Sequence, residues 1–305
     1  KSNVGKRYSV AAGYMLVGLW VLFTFILISW VVLASFSTSQ EIFSDHMFKF
    51  VSGFHFDNYV KAWSTQRVSV FFMNSLLYTL ASCTAIVVIS APAAYVLSRF
   101  KFKGNALLQN MFAAGLGIPL IMVIMPLFGL VSQLHLTNNR ILIIFLYTAM
   151  NIPFGVFYLS AFFRNLSPSY EEAAAIDGCN PIAAFWIIIF PLAQPGIVTV
   201  SIFNFITVWN EYFMSLIFAN RTAVRPVAVG LYSMIQSMRY TGDWGGMFAS
   251  VVIVTSVLVW NVNLYRTLAR ENKKLASVLN AAVASYGAFI EEKSLSSERR
   301  IFDDA

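Results

Sequence analysis

The sequence predicts an all-α membrane protein with six transmembrane helices. Hydrophobic residues make up 58% of the chain and charged residues only 11%, against about a quarter charged in water-soluble domains. Windows free of Asp, Glu, Lys and Arg run over residues 8–40, 68–98, 104–139, 141–163, 178–210 and 244–265. Each is long enough for the helix of about 20 residues that crosses a bilayer. Between the fourth and fifth spans lies one polar interruption, residues 167–190, around which the remaining elements are ordered.

The first span, about 8–36, follows Lys6-Arg7. It is longer than the apolar core of a signal peptide and has no clean small-x-small cleavage site, so it is expected to be retained. Ser37 to Arg67 mixes polar residues with Phe43, Phe48, Phe50, Phe54, Phe56, Tyr59 and Trp63, which predicts an ordered outer cap. The second span, about 70–98, carries a weak polar stripe in Asn74, Tyr78 and Ser82. The third, about 106–133, holds Pro119 and Pro126, and the fourth, about 141–163, holds Pro153. Each proline removes a helix hydrogen bond and predicts a bend unless neighbours compensate. Such bends suit helices that move or line a cavity, and occur as often in helices that do neither.

In the loop, Ser167-Pro168 is a helix start, because a serine hydroxyl caps free N–H groups and proline is pre-set for the first helical position. Glu171 and Glu172 complement the positive end of the helix dipole, Ala173 to Ala175 continue the helix, and Gly178 stops it. The result is a helix of about two turns; Asn180-Pro181 then restarts the chain. Three carboxylates, Glu171, Glu172 and Asp177, stand together in a chain of net charge +7. A loop resting on anionic lipid would carry lysine and arginine instead. The small-residue face at Ala173 and Ala174 suits docking into a groove of another protein; a solvated amphipathic connector fits the same pattern.

The fifth span, about 191–219, places Ser201, Asn204, Thr207, Glu211 and Ser215 at spacings of three and four, on one helical face. An ionisable residue inside a span marks a functional site by default. Asn204, Thr207, Asn210 and Glu211, with Asn74 and Tyr78, are therefore the candidate translocation path; for Glu211 a structural pairing with a partner subunit is the alternative. Asn220 to Gly245 is a second outer segment, with Tyr232, Arg239, Tyr240, Asp243 and Trp244. The sixth span, about 246–265, completes a permease domain over 1–265. A tail over 266–305 follows, with an apolar stripe from Leu275 to Ile290 that suits docking on a partner or lying at the membrane surface.

Both termini fall on one side. Counting Lys and Arg near span ends gives eleven on that side and seven on the other, which favours cytoplasmic termini and a cytoplasmic polar loop. Cys83 and Cys179 are not placed for a disulfide, and His46, His55 and His135 are scattered, so no metal site is expected.

Glu172-Ala173-Ala174, three residues, Gly178, nine residues, then Ile188 to Pro191 is similar to the EAA loop of permease subunits in binding-protein-dependent ABC importers. The usual leucine of that pattern is Phe190 here. FDNYVKAW (56–63), FFMNSLLYT (71–79), APAAYVLSRFKFKG (91–104), IPLIMVIMPLFGL (118–130), NIPFGVF (151–157), AAIDG (174–178) and WNEY (209–212) extend the resemblance to the carbohydrate-type branch, near the smaller permease of the maltose importer. The resemblance implies the type I ABC importer permease fold in a bacterial plasma (inner) membrane, with Glu171, Glu172, Ala173, Ala174, Asp177 and Gly178 forming the ATPase-coupling element. It implies a second, heterologous permease, two ATPase subunits, an extracytoplasmic solute-binding protein and a sugar or oligosaccharide cargo. ATP and Mg belong on the ATPase, because this chain has no G-x4-G-K-[ST] loop and no Ser/His/Asp or Cys/His constellation. Its C-terminal part departs from the relatives, with no proline in the last span and a longer tail. A self-sufficient secondary transporter or channel is the competing reading; it would call for an internal repeat and several buried ionisable groups, where the sequence offers Glu211 alone. No nucleic-acid partner is implied.

Overall fold

The computed structural model describes residues 2–44 and 52–271, with side chains for 11–44, 52–237 and 242–257. Among the described residues the chain is helical, in this order: α1 Ser2–Ser35, α2 Ser39–Ile42, α3 Asp57–Ser64, α4 Val68–Arg99, α5 Asn105–Gly115, α6 Leu120–Gln133, α7 Arg140–Arg164, α8 Ser169–Ile176, α9 Pro181–Ala184, a π-helical stretch Phe185–Ile189, α10 Phe190–Leu192, α11 Gln194–Trp209, α12 Phe213–Phe218, a 3₁₀ turn Thr222–Val224, α13 Val227–Thr241 and α14 Trp244–Glu271. The described residues form two compact units, one from 2–44 and 52–73 with 225–257, the other from 74–224 with 258–271.

In the first unit, residues 11–28 of α1 are almost entirely exposed apolar surface, and α1 packs only over its last turns, where Trp30 meets Phe248 edge to face at 5.1 Å. The expected aromatic packing forms in part: Phe36 gathers Phe54, Phe56 and Tyr59 within 5.1–6.0 Å, whereas Phe43 packs on Trp244 at 5.3 Å and Trp63 on Phe72 at 5.9 Å. Asn58 donates to the carbonyls of Ser35 and Ser37 at 3.0 Å each. Phe48 and Phe50 lie outside the described residues. Thr38 and Glu41 cap α2 reciprocally, the arrangement in which each side chain satisfies the other's free backbone N–H. The segment 220–245, the second of the two expected outer segments, is mostly the helix α13.

In the second unit, two apolar clusters hold α4, α6, α7 and the chain around α11 together. One centres on Tyr78, Ile143, Tyr147, Met214 and Phe218, the other on Tyr95, Leu159, Phe163, Phe185 and Ile189. Helices α4 and α7 approach closely at Gly155, where an added Cβ would stand 2.5 Å from Ser90 Oγ.

α1 (from Ala11), α4 and α7 are long and apolar enough to cross a membrane by themselves. Two other expected spans are broken. The third bends by 95° between α5 and α6, and the fifth by 72° where α11 leaves α10. Pro119 sits at the N-cap of α6, where its missing N–H would be unsatisfied in any case, so it marks the break without costing a helix bond. Pro126 and Pro153, by contrast, lie inside continuous helices. Within the expected fifth span, about 191–219, α11 runs from Gln194 to Trp209 and α12 is a separate helix. The expected sixth span, about 246–265, falls within α14, whose stretch Trp244–Val257 is a shorter apolar helix. The tail from residue 272, including the Leu275–Ile290 stripe, lies outside the described residues.

Candidate functional site

The polar loop builds a short, sharply bounded helix. Ser167 Oγ accepts from the Ser169 amide at 3.3 Å, and α8 starts there with Glu171 and Glu172 in its first turn. At its end, Gly178 adopts φ +82°, Cys179 N–H donates to Ala174 O at 2.9 Å and Gly178 N–H to Ala175 O at 3.1 Å. That bond pair is the Schellman stop, which needs a left-handed residue at the position Gly178 holds. Asn180 Oδ1 then caps α9 by accepting from Ala183 N–H at 2.8 Å, with Pro181 at the first helical position.

The two faces of α8 differ. Ala174 is 1% exposed and turned inward, while Glu172, Ala173, Asp177 and Gly178 are exposed. Ile176 is 86% exposed and Ile182, just beyond the turn, 73%. Two exposed isoleucines thus stand beside two exposed carboxylates, a surface both apolar and acidic. Glu171 faces the other way: its Oε1 lies 3.0 Å from Arg99 Nε, an ion pair at the end of α4.

The candidate path residues separate. Asn74 donates to Ala223 O at 2.9 Å, Tyr78 donates to Val224 O at 2.8 Å, and both are buried. Asn204 is 1% exposed, inside the packed unit. Thr207 and Asn210 are exposed, and Asn210 bonds back to Ile206 O at 2.8 Å. Glu211 sits in the break between α11 and α12, where it accepts from Met214 N–H at 2.7 Å, Ser215 N–H at 3.1 Å and the Tyr147 hydroxyl at 3.1 Å. The stripe from Ser201 to Ser215 is therefore not one face: within α11 Asn204 is buried while Thr207, three residues on, is exposed, and the helix ends at Trp209, before Glu211 and the buried Ser215. Sequence reasoning missed Arg99, which it counted only as a positive charge at a span end. Among the described residues no group of three or more His, Cys, Asp or Glu side chains converges as a metal site would.

Residues 63–271 match the family of binding-protein-dependent transport system inner membrane components. The diacetylchitobiose uptake system permease protein NgcG of Streptomyces coelicolor is 32% identical over 247 residues, covering 81% of this chain and 82% of that protein. The trehalose/maltose transport system permease protein MalG of Thermococcus litoralis is 30% identical over 262 residues, covering 85% and 92%. A crystal structure of a bacterial ABC transporter involved in the import of the acidic polysaccharide alginate has the same fold, with a TM-score of 0.72 at 21% identity, over 87% of this chain and 96% of its own. The helical architecture, the EAA loop and this breadth of similarity agree: the chain belongs to the family of binding-protein-dependent transport system inner membrane components, the ABC importer permeases.

Proposed function

We propose that this chain is the membrane-spanning subunit of an ATP-driven importer of a sugar or oligosaccharide, and that α8 is the element through which ATPase subunits drive it. The observation that carries the reading is the exposed face of α8, with Glu172, Ile176 and Asp177 on a helix stopped by Gly178. The chain pairs with a second, heterologous permease and works with two ATPase subunits and an extracytoplasmic solute-binding protein. It hydrolyses nothing itself; ATP and Mg are held by the ATPase. Its termini and α8 lie on the cytoplasmic side of a bacterial plasma membrane, and closure of the ATPase pair moves α8 so that access alternates between the two sides. Sugar-system relatives such as NgcG and MalG support the cargo class. The exposed Thr207 and Asn210 are the path residues placed to meet solute or the second permease, and Glu211 acts by closing the first turn of α12 and fastening it to α7.

The test is purification of this chain from its native membrane in mild detergent, with co-purifying proteins identified and ATP hydrolysis and sugar uptake followed after reconstitution. An ATPase and a second permease are expected with the wild type. Glu172→Lys should retain membrane insertion while lowering uptake per ATP. Isolation of this chain alone, with uptake driven by an ion gradient, would refute the proposal in favour of a secondary transporter.

A further inference from the structure

We propose that Arg99 is the positioning residue that clasps the coupling helix α8 to the end of α4, and that Glu171 serves as its internal partner and not as an ATPase contact. This inference rests on the importer reading above.

Arg99 is the last residue of α4, and its side chain is 12% exposed. The guanidinium has two partners on two different pieces of chain. Its terminal nitrogen donates to Leu166 O at 2.6 Å, in the turn between α7 and α8, and its Nε lies 3.0 Å from Glu171 Oε1, in the first turn of α8. The contact with Glu171 is an ion pair without hydrogen-bond alignment, whereas the terminal nitrogen donates to Leu166 O; a lysine ammonium, a single point of charge, could not keep both. One turn earlier on α4, Tyr95 is 5% exposed and packs edge-on against Phe163 at 5.7 Å and at a tilt against Phe185 at 4.9 Å. The Glu171 carboxylate is itself only 23% exposed, so the pair is screened less than a surface pair.

Adjacent carboxylates thus carry opposite duties. About 100° of helix rotation separates neighbouring residues, which leaves Glu172 in solvent while Glu171 is enclosed. The mechanical consequence follows from the ends of α8. Both are turns, at 165–168 and at Gly178, and turns absorb displacement by changing φ and ψ. A force on the exposed face of α8 would be dissipated there unless α8 is tied sideways to something stiff. Arg99 ties it to α4, a helix of 32 residues, so that motion of α8 becomes motion of a span.

The full complex is purified with Glu171→Gln, Arg99→Ala and Arg99→Lys, and read in two ways: sugar uptake per ATP hydrolysed in proteoliposomes, and amide hydrogen exchange over 169–178. Glu171→Gln and Arg99→Ala are expected to retain the co-purifying ATPase, to accelerate exchange in α8 about ten-fold and to lower uptake per ATP by a similar factor. Arg99→Lys should fall between these variants and the wild type, because it keeps the charge and loses the second contact. Loss of the ATPase from Glu171→Gln would overturn the proposal by making Glu171 a docking residue, and unchanged exchange with unchanged uptake per ATP would overturn it directly. Should Arg99→Ala fail to insert, Glu171→Gln and Arg99→Lys decide the matter. If the wild type itself shows no ATP-driven uptake, the importer reading fails, and exchange alone decides whether Arg99 holds α8.

Discussion

Tyr147 on α7 donates its hydroxyl to Glu211 Oε2 at 3.1 Å, and the same tyrosine oxygen also bonds Ser215 Oγ. The carboxylate in turn accepts the backbone N–H groups of Met214 and Ser215, so one acid closes the first turn of α12 and fastens it to α7. Hydrogen bonds to a charged acceptor contribute about 1.5–3 kcal/mol, and leaving their donors unmade costs a similar amount. Glu211→Ala should therefore lower the thermal midpoint of the purified complex, at a cost of about 2 kcal/mol. Tyr147→Phe should cost about 1 kcal/mol, because the ring stays in its cluster and only the hydroxyl is lost. Uptake should decline no further than the folded fraction does. A Glu211→Ala complex with an unchanged midpoint and no uptake would instead make the carboxylate a solute contact.

Gly178 offers a test confined to backbone geometry. Nothing lies within 4 Å of where its Cβ would be, but its φ is +82°. Substitution there is opposed by conformation and not by space. Alanine should weaken the stop of α8 by about 1 kcal/mol, valine by more, and asparagine by least, because only its short polar side chain adapts to the left-handed region. Uptake by the reconstituted complex should rank Gly178→Asn above Gly178→Ala above Gly178→Val. An order that followed side-chain volume, with Asn near Val, would show that a steric contact at this turn matters more than its φ.

How much could be read from the chain alone depends on which force set each feature. The limits of α8 were legible because each rests on a local rule: Ser167 beside Pro168, Gly178, and Asn180 before Pro181 act within a few residues of themselves. The spans were legible as lengths of chain without charge, which reports the free energy of placing a segment in lipid and is silent on its direction. Pro119 announced a bend in the third span, but nothing in the chain set its 95° apart from Pro126 and Pro153, which predicted bends equally and lie inside continuous helices. The polar stripe of the fifth span failed twice: inside α11 a step of three residues leaves Thr207 exposed although Asn204 is buried, and beyond Trp209 the stripe runs across a helix end that nothing in Trp209-Asn210-Glu211 announces. Arg99 with Glu171 was beyond reach, since a pair distant in sequence exists only once α4 and α8 have been folded together.

The α4–α7 crossing predicts a steric effect with a built-in rescue. At Gly155 a Cβ would meet Ser90 Oγ at 2.5 Å and Ser90 Cβ at 2.9 Å. Overpacking a tight site costs about 1–3 kcal/mol, and Gly155→Val should lower the thermal midpoint accordingly. Ser90→Gly in the same chain should recover most of the loss by vacating the space. Additive losses in the double variant would mean that the helices do not meet at these two residues.

Glu41 predicts how acid acts on the segment after α1. Its carboxylate accepts from Thr38 N and Oγ1 at 3.0 and 3.1 Å and from Ser52 N and Oγ at 2.9 and 2.8 Å. These bonds, with the Thr38 and Ser52 backbone N–H groups foremost, hold its pKa at about 2, below the ordinary 4.5. The folded segment thus binds a proton less readily than the unfolded one, so the contribution is fully present above about pH 4.5 and is lost as pH falls towards 2. Pepsin, which works in this range, should cut between residues 36 and 56 increasingly as pH drops from 4.5 to 2, beyond the change in its own activity on an unstructured peptide. Glu41→Gln removes the charge at every pH and should be cut readily already at pH 4.5, with little further rise. Equal cutting of wild type and variant throughout would mean that the carboxylate does not hold the segment, and that the aromatic cluster of Phe36, Phe54, Phe56 and Tyr59 orders it alone.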